Sequence, residues 1–256
     1  MVLSMDRWKG KTAIVTGASA GCGASIAEQL VEHGVNVVGL ARRKEKVEEL
    51  AKKLQNKPGK LYAIKADISK EEDVLEAFKW VKENLGPVHI LVNNAGIAKP
   101  SRLVDGNFTD WKNIFETNVL GLCAATKEAV NDMKQNNIDG HIIHINSVLG
   151  HYVAHVPFLN VYPATKFAVT ALTEVLRQEL MNMNSKIRVT SVSPGPVETE
   201  FASANKLPVD DEFEKFFEAM PKLLGEDVAD AVIYVLSTPP HVQVQELTVR
   251  PVGEKV

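Results

Sequence analysis

Cysteine is scarce: Cys22 and Cys123 are the two in 256 residues, and both sit in stretches with helical periodicity. Two thiols so placed suggest no disulfide framework and fit a reducing compartment, so a cytoplasmic location is expected. The chain has no long apolar run of the kind that spans a bilayer, and its opening, MVLSMDRWKG, lacks the apolar core of a secretory signal. No charge of one sign dominates. The 29 Lys and Arg stand against 32 Asp and Glu for a net charge of −3, without a long basic run, which argues against a nucleic-acid partner. There is no repeat, no low-complexity tract and no cluster with convincing zinc spacing, so no metal is expected.

What is present is an ordinary globular composition, 45% hydrophobic and 24% charged, at a length that suits one large α/β domain. Short Val- and Ile-rich runs at 12–16, 35–40, 60–64, 88–92, 141–146 and 187–192 are strand-sized. Amphipathic stretches at about 22–33, 43–55, 70–85, 109–136 and 161–183 lie between them, and Gly34, Gly86 and Gly140 fall where helices end. A further helix (about 226–237) and strand (about 244–249) close the chain. This rhythm predicts a single doubly wound, Rossmann-type parallel sheet of about seven strands, with helices on both faces. It breaks only at about 196–222, where Phe201, Phe213, Phe216, Phe217 and Met220 occur in a Pro- and acid-rich segment. That segment reads as a small lid over an apolar substrate, or as a short helix with a packing face, or both.

The first strand runs into TGASAGCGASIAEQL, with Gly17, Gly21 and Gly23 within seven residues of a strand-to-helix junction. Parallel α/β sheets bind ligands beyond the carboxyl ends of their strands. Glycines there let backbone approach a pyrophosphate, and the helix start supplies free N–H groups and a positive dipole end. A tight turn without a ligand is the plainer alternative. NAD sites place an acid at the end of the second strand. Here Ala41-Arg42-Arg43 stands instead, which suits a 2′-phosphate and so NADP. A solvated basic helix start would oppose the helix dipole.

Tyr162 and Lys166 lie four residues apart in YPATK and share a helical face. A nearby ammonium favours phenolate, which predicts a lowered tyrosine pKa and a group able to exchange a proton with an alcohol or carbonyl. Ser147 ends the strand HIIHIN at the same sheet edge, where its hydroxyl could hold a substrate oxygen.

Thr16–Gly23, Asn93-Asn94-Ala95-Gly96, Asn118, Ser147, Tyr162 with Lys166, and Pro194-Gly195 occur in that order. Together they resemble the short-chain dehydrogenase/reductase family over nearly the whole chain. The resemblance implies that Tyr162 is the general acid/base and that Lys166 lowers its pKa and binds the nicotinamide ribose. It implies that Ser147 orients the substrate oxygen and that Asn118 anchors a water in a proton relay. It places Gly17, Ser19, Gly21, Cys22 and Gly23 at phosphates or ribose, with Arg42 and Arg43 beside them. Asp67 and Ile68 would flank the adenine, and Asn94, Ala95 and Gly96 would line the cleft. Pro194, Gly195, Val197 and Thr199 would also touch the cofactor, Thr199 at its carboxamide. The family further implies a homodimer or homotetramer built on the helices at 109–136 and 161–183.

The fifteen residues from Ser147 to Tyr162, with MDRWKGK and GLARR, are similar to a subgroup that holds insect farnesol dehydrogenases and related 17β-hydroxysteroid/3-ketosteroid reductases. Hydride transfer between a nicotinamide cofactor and an apolar alcohol or its carbonyl is therefore expected, an isoprenoid first and a steroid second. The alternatives are a general carbonyl reductase, an epimerase or dehydratase on the same fold, and a non-catalytic NADP-binding sensor. The remaining conspicuous residues have plain readings. Trp80 and Trp111 are packing, and His141 and His144 are core-edge histidines. Cys22 is a small filler, although a helix start can lower a thiol pKa.

Overall fold

The computed structural model describes residues 3–100, 102–154, 161–201, 205 and 220–254. After a 3-10 turn at Asp6–Trp8 come β1 (Thr12–Thr16), α1 (Gly21–Glu32), β2 (Asn36–Ala41), α2 (Lys44–Lys53), β3 (Lys60–Lys65), α3 (Glu71–Asn84) and β4 (Val88–Asn93). Then follow α4 (Phe108–Phe115), α5 (Gly121–Gln135), β5 (His141–Ile145), α6 (Tyr162–Asn182), β6 (Arg188–Pro194), α7 (Gly225–Ser237) and β7 (Glu246–Val249).

All pairings are parallel, in the order β3-β2-β1-β4-β5-β6-β7. The chain builds outward from β1 to β3, then returns to lay β4 on the other side of β1. The crevice where the order reverses, at the carboxyl ends of β1 and β4, is where such sheets receive ligands. Strand alternation separates two cores. Ala13, Val15, Val37, Ile90, Val92 and Ile143 pack with α1 and α7. Ile14, Val38, Leu91 and Ile142 pack with α3, α5 and α6. Because both faces are covered, all five residues of β1 are buried, which is why the strand reads as a continuous apolar run.

The helix expected over 109–136 is divided. A π-turn at Glu116–Leu120 separates α4 from α5, and Asn118 is buried within it. The turn widens at Asn118, whose amide exchanges hydrogen bonds with the Ile97 backbone just beyond β4. Gly34 and Gly86 take left-handed backbone (φ +85° and +82°) after their helices, as expected of helix ends, but Gly140 does not. After α5 that role passes to Asn137 (φ 53°), and Gly140 serves close packing instead: a Cβ there would stand 2.5 Å from Met133 Sδ. His141 and His144 lie fully inside the core, not at its edge. Trp80 packs against Tyr62, and Trp111 against Phe108. Of the expected lid, Phe213, Phe216 and Phe217 lie outside the described residues. Its two flanks meet where Val197 bridges Leu223.

Candidate active site

At the end of β1 the chain needs backbone that side-chain-bearing residues rarely adopt: Gly17 and Gly21 have φ +71° and +53°. The loop is also too crowded for side chains. A Cβ on Gly17 would stand 2.9 Å from Ala95 Cα, and one on Gly23 2.4 Å from Asn94 Nδ2 and from the Gly17 carbonyl oxygen. Asn94 fills that space. Its Nδ2 donates to the Thr16 and Gly17 carbonyls at 2.9 and 3.3 Å. The Asn94 and Ala95 N–H groups both donate to Thr16 Oγ1 at 3.0 Å. Asn94 thus braces the glycine loop against β4, with its side chain turned into the loop.

Helix α1 begins behind Ala20, which offers no side-chain cap, and its first turn carries no acid. Its opening N–H groups therefore present a bare positive end to the crevice, which suits a phosphate group. Cys22 sits in this turn. Burial pushes its thiol up to about 11, outweighing the helix N–H and Lys166, which both pull it down. This is the behaviour of a filler and not of a reactive thiol.

At the end of β2, Arg42 is exposed, and Arg43 places Nη2 3.5 Å from Ser19 Oγ. At the end of β3, Asp67 accepts from the Ser69 N–H and hydroxyl, and the Ile68 carbonyl lies against Gly121. Pro194 ends β6, and the Gly195 N–H donates to the Val249 carbonyl. Thr199 lies over the glycine loop, 3.1 Å from where a Gly21 Cβ would stand.

The tyrosine, lysine and serine converge beside this crevice. Ser147 follows β5, where its Oγ accepts from the Leu149 N–H. Tyr162 and Pro163 open α6, a favoured place for proline because the first-turn N–H has no helical partner. One turn on, Lys166 is buried, and its Nζ donates to the Ile145 carbonyl at 2.9 Å while standing 5.6 Å from the Tyr162 ring centroid. The Phe201 ring meets the tyrosine edge-on, with centroids 5.7 Å apart.

The expected lowering of the Tyr162 pKa is not what this arrangement gives. Burial pushes the phenol well above its ordinary value near 10, and hydrogen bonding from the Ser147 hydroxyl offsets part of that rise. The lysine is committed to a backbone carbonyl, and burial lowers it to about 8. At neutral pH the pair is thus a neutral phenol beside an ammonium.

Asn118 ties the site together. Its Oδ1 accepts from the Ile97 N–H at 2.8 Å. Its Nδ2 donates to the Ile97 carbonyl at 2.9 Å and to Thr165 Oγ1 at 3.1 Å. Thr165, fully buried, donates in turn to the Tyr162 carbonyl at 2.7 Å. The sequence reading assigned no role to Thr165. Its one signal is a hydroxyl at an inward helical position between Tyr162 and Lys166. Gly96 lies beside Asn118, whose Oδ1 would be 3.6 Å from a Cβ there.

A doubly wound parallel sheet with an uncapped helix start and a serine, tyrosine and lysine at its carboxyl edge defines a Rossmann-type oxidoreductase. The family model for short chain dehydrogenases matches residues 11–208, and the chain belongs to that family. It is 50% identical to farnesol dehydrogenase of Aedes aegypti over 254 residues, 98% of this chain and 100% of the relative. It is 46% identical to dehydrogenase/reductase SDR family member 11 of Homo sapiens, over 96% of each chain. Among solved structures, serine dehydrogenase in complex with NADP+ superposes with a TM-score of 0.86 at 32% identity, over 96% of each chain. The alcohol dehydrogenase of Thermococcus sibiricus in complex with 5-hydroxy-NADP gives 0.82 at 29% identity, over 96% of this chain and 98% of its own.

Proposed function

We propose that this protein is an NADP(H)-dependent dehydrogenase and carbonyl reductase for a medium-sized apolar alcohol, with an isoprenoid such as farnesol as the first candidate. The observation that carries the reading is Ser147, Tyr162 and Lys166 at one sheet edge, across a glycine cradle from Arg43. The cradle, the bare start of α1 and the basic end of β2 suit a nucleotide with a 2′-phosphate, and two structural relatives are complexes of NADP or a derivative. NADP, when bound, supplies the hydride acceptor or donor. Gly17, Ser19, Gly21, Cys22 and Gly23 would hold its phosphates, Arg42 and Arg43 its 2′-phosphate, and Lys166 its nicotinamide ribose.

Oxidation removes a hydride from the carbinol carbon and a proton from its oxygen. Ser147 orients that oxygen; in reduction the neutral Tyr162 phenol gives it the proton, and in oxidation Tyr162 takes the proton only after releasing its own, as phenolate. The Phe201 ring against Tyr162 favours an apolar substrate, and the Aedes relative carries the name of a farnesol enzyme. We assign these roles to one dinucleotide-binding domain with a lid at about 196–222, in the cytoplasm, where two unpaired cysteines are at home.

The test is a kcat/KM series of primary alcohols from ethanol to farnesol, with NADP+ and with NAD+. Each buried methylene is worth about 0.8 kcal/mol, so KM should fall with chain length until the pocket is full. NADP+ should be strongly preferred. Equal use of both cofactors would overturn the NADP assignment, and better turnover of sugars or short hydroxy acids would overturn the apolar pocket.

A further inference from the structure

The chain leaving β6 does not stop at the nicotinamide side of the crevice. Thr199 rests on Gly21, and the next residue reaches the end of β2, on the far side of β5, β4 and β1 in the sheet. There Glu200 Oε2 accepts from Arg43 Nη1 and Nη2, both at 3.4 Å. The same guanidinium faces Ser19 Oγ on the glycine loop. A carboxylate thus sits on one of the two cations that the cofactor reading reserves for the 2′-phosphate. The pair is open to water, with side chains 46% and 62% exposed. Exposed ion pairs are weak and exchange readily. A phosphate monoester offers more charge and three acceptor oxygens to a guanidinium fork.

We infer that Glu200 is a specificity-determining residue whose carboxylate competes with the 2′-phosphate of NADP(H) for Arg43. This inference rests on the cofactor reading above. A nucleotide with a 2′-phosphate must displace Glu200 from Arg43, whereas one without it leaves the Arg43–Glu200 pair in place. Glu200 therefore moderates the preference that Arg42 and Arg43 create.

Calorimetric titration of the whole protein with 2′,5′-ADP and with 5′-AMP, which differ only by the 2′-phosphate, tests this without turnover. At low salt, Glu200→Gln should tighten 2′,5′-ADP about twofold to fivefold, near the upper worth of an exposed pair, and leave 5′-AMP unchanged. The gain should vanish in an Arg43→Gln background and shrink at about 1 M salt, where screening is short-ranged. Unchanged or weaker binding of 2′,5′-ADP by Glu200→Gln would overturn the inference, as would equal tightening of both fragments, and the cofactor reading would survive either result. Equal binding of the two fragments by the unmodified protein would instead overturn the cofactor reading, and the inference with it.

Discussion

Tyr162 is held by its neighbours in a neutral form that suits a proton donor. Burial raises its phenol, the Ser147 hydroxyl partly offsets the rise, and the Lys166 ammonium is turned to the Ile145 carbonyl. Tyr162→Phe keeps the ring that packs on Phe201 and removes the one atom able to pass a proton. Turnover should fall about 10²- to 10⁴-fold, the usual worth of a positioned acid/base, while NADP+ affinity stays nearly unchanged. Pre-steady-state and binding measurements on the same preparation check both halves; near-normal kcat would place the proton transfer elsewhere. Spacing showed only that Tyr162 and Lys166 share a helical face and that Ser147 ends a strand; it was the ordered set of motifs, through the family resemblance, that made them one site. The direction of the tyrosine pKa was not legible, since spacing gives the proximity of a cation but not the burial that raises the phenol. Asn94 is a similar case. Its place beside the crevice was readable, yet its commitment to the Thr16 and Gly17 carbonyls depends on how β1 and β4 pair.

Elements carry the next set of consequences. The alternation of strands and helices was legible because the inner strands are buried on both faces and read as apolar runs, while each helix buries one face. The break between α4 and α5 was not. Asn118 sits in a sequence of good helix periodicity, and only its bonds to Ile97 and Thr165 show why the turn widens. Thr165 joins that turn to the first turn of α6, so Thr165→Val should leave the Asn118 amide short of one acceptor. The expected cost is about 1–3 kcal/mol of stability with a fall in kcat greater than the change in KM, and Thr165→Ser should restore both. Urea denaturation and steady-state kinetics on the two variants decide it. Strand β5 gives a pH dependence. Burial lowers His144 to about 3 and His141 well below its ordinary 6.5. Between those values the unfolded chain binds protons that the folded chain does not. Their contribution is therefore complete above about pH 6.5 and is lost as pH falls, at up to about 1.4 kcal/mol per pH unit for each histidine. Urea midpoints between about pH 7 and 5 should drop accordingly, above the range where carboxylates titrate. His144→Asn should reduce the slope by about one proton; a flat profile in the parent protein would refute the assignment.

At the scale of the whole molecule, α6 carries an apolar stripe that its own core does not use. Its inward positions, Val169, Thr173, Leu176 and Leu180, are buried against the sheet. On the outer side Ala164, Phe167, Ala171 and Val175 are exposed at helical spacing, with Phe167 41% and Val175 48% open. Beside it, Phe115 before the π-turn and Leu120 at its end are 40% and 60% exposed. Alanines alternating with larger side chains let helices approach closely, and an apolar face on adjacent helices suits a two-fold contact in which each copy presents the same patch. We expect a homodimer, or a homotetramer if a second face joins, held by apolar contact and so insensitive to salt. Phe167→Asp would put a carboxylate into this apolar patch on each copy, with no effect on the inward face of α6. Light scattering at micromolar concentration should give a multimer for the parent protein at low and high salt, and a lower mass for Phe167→Asp with its fold retained. A monomeric mass for the parent protein would refute the interface, and an unchanged multimer in the variant would move it to another face.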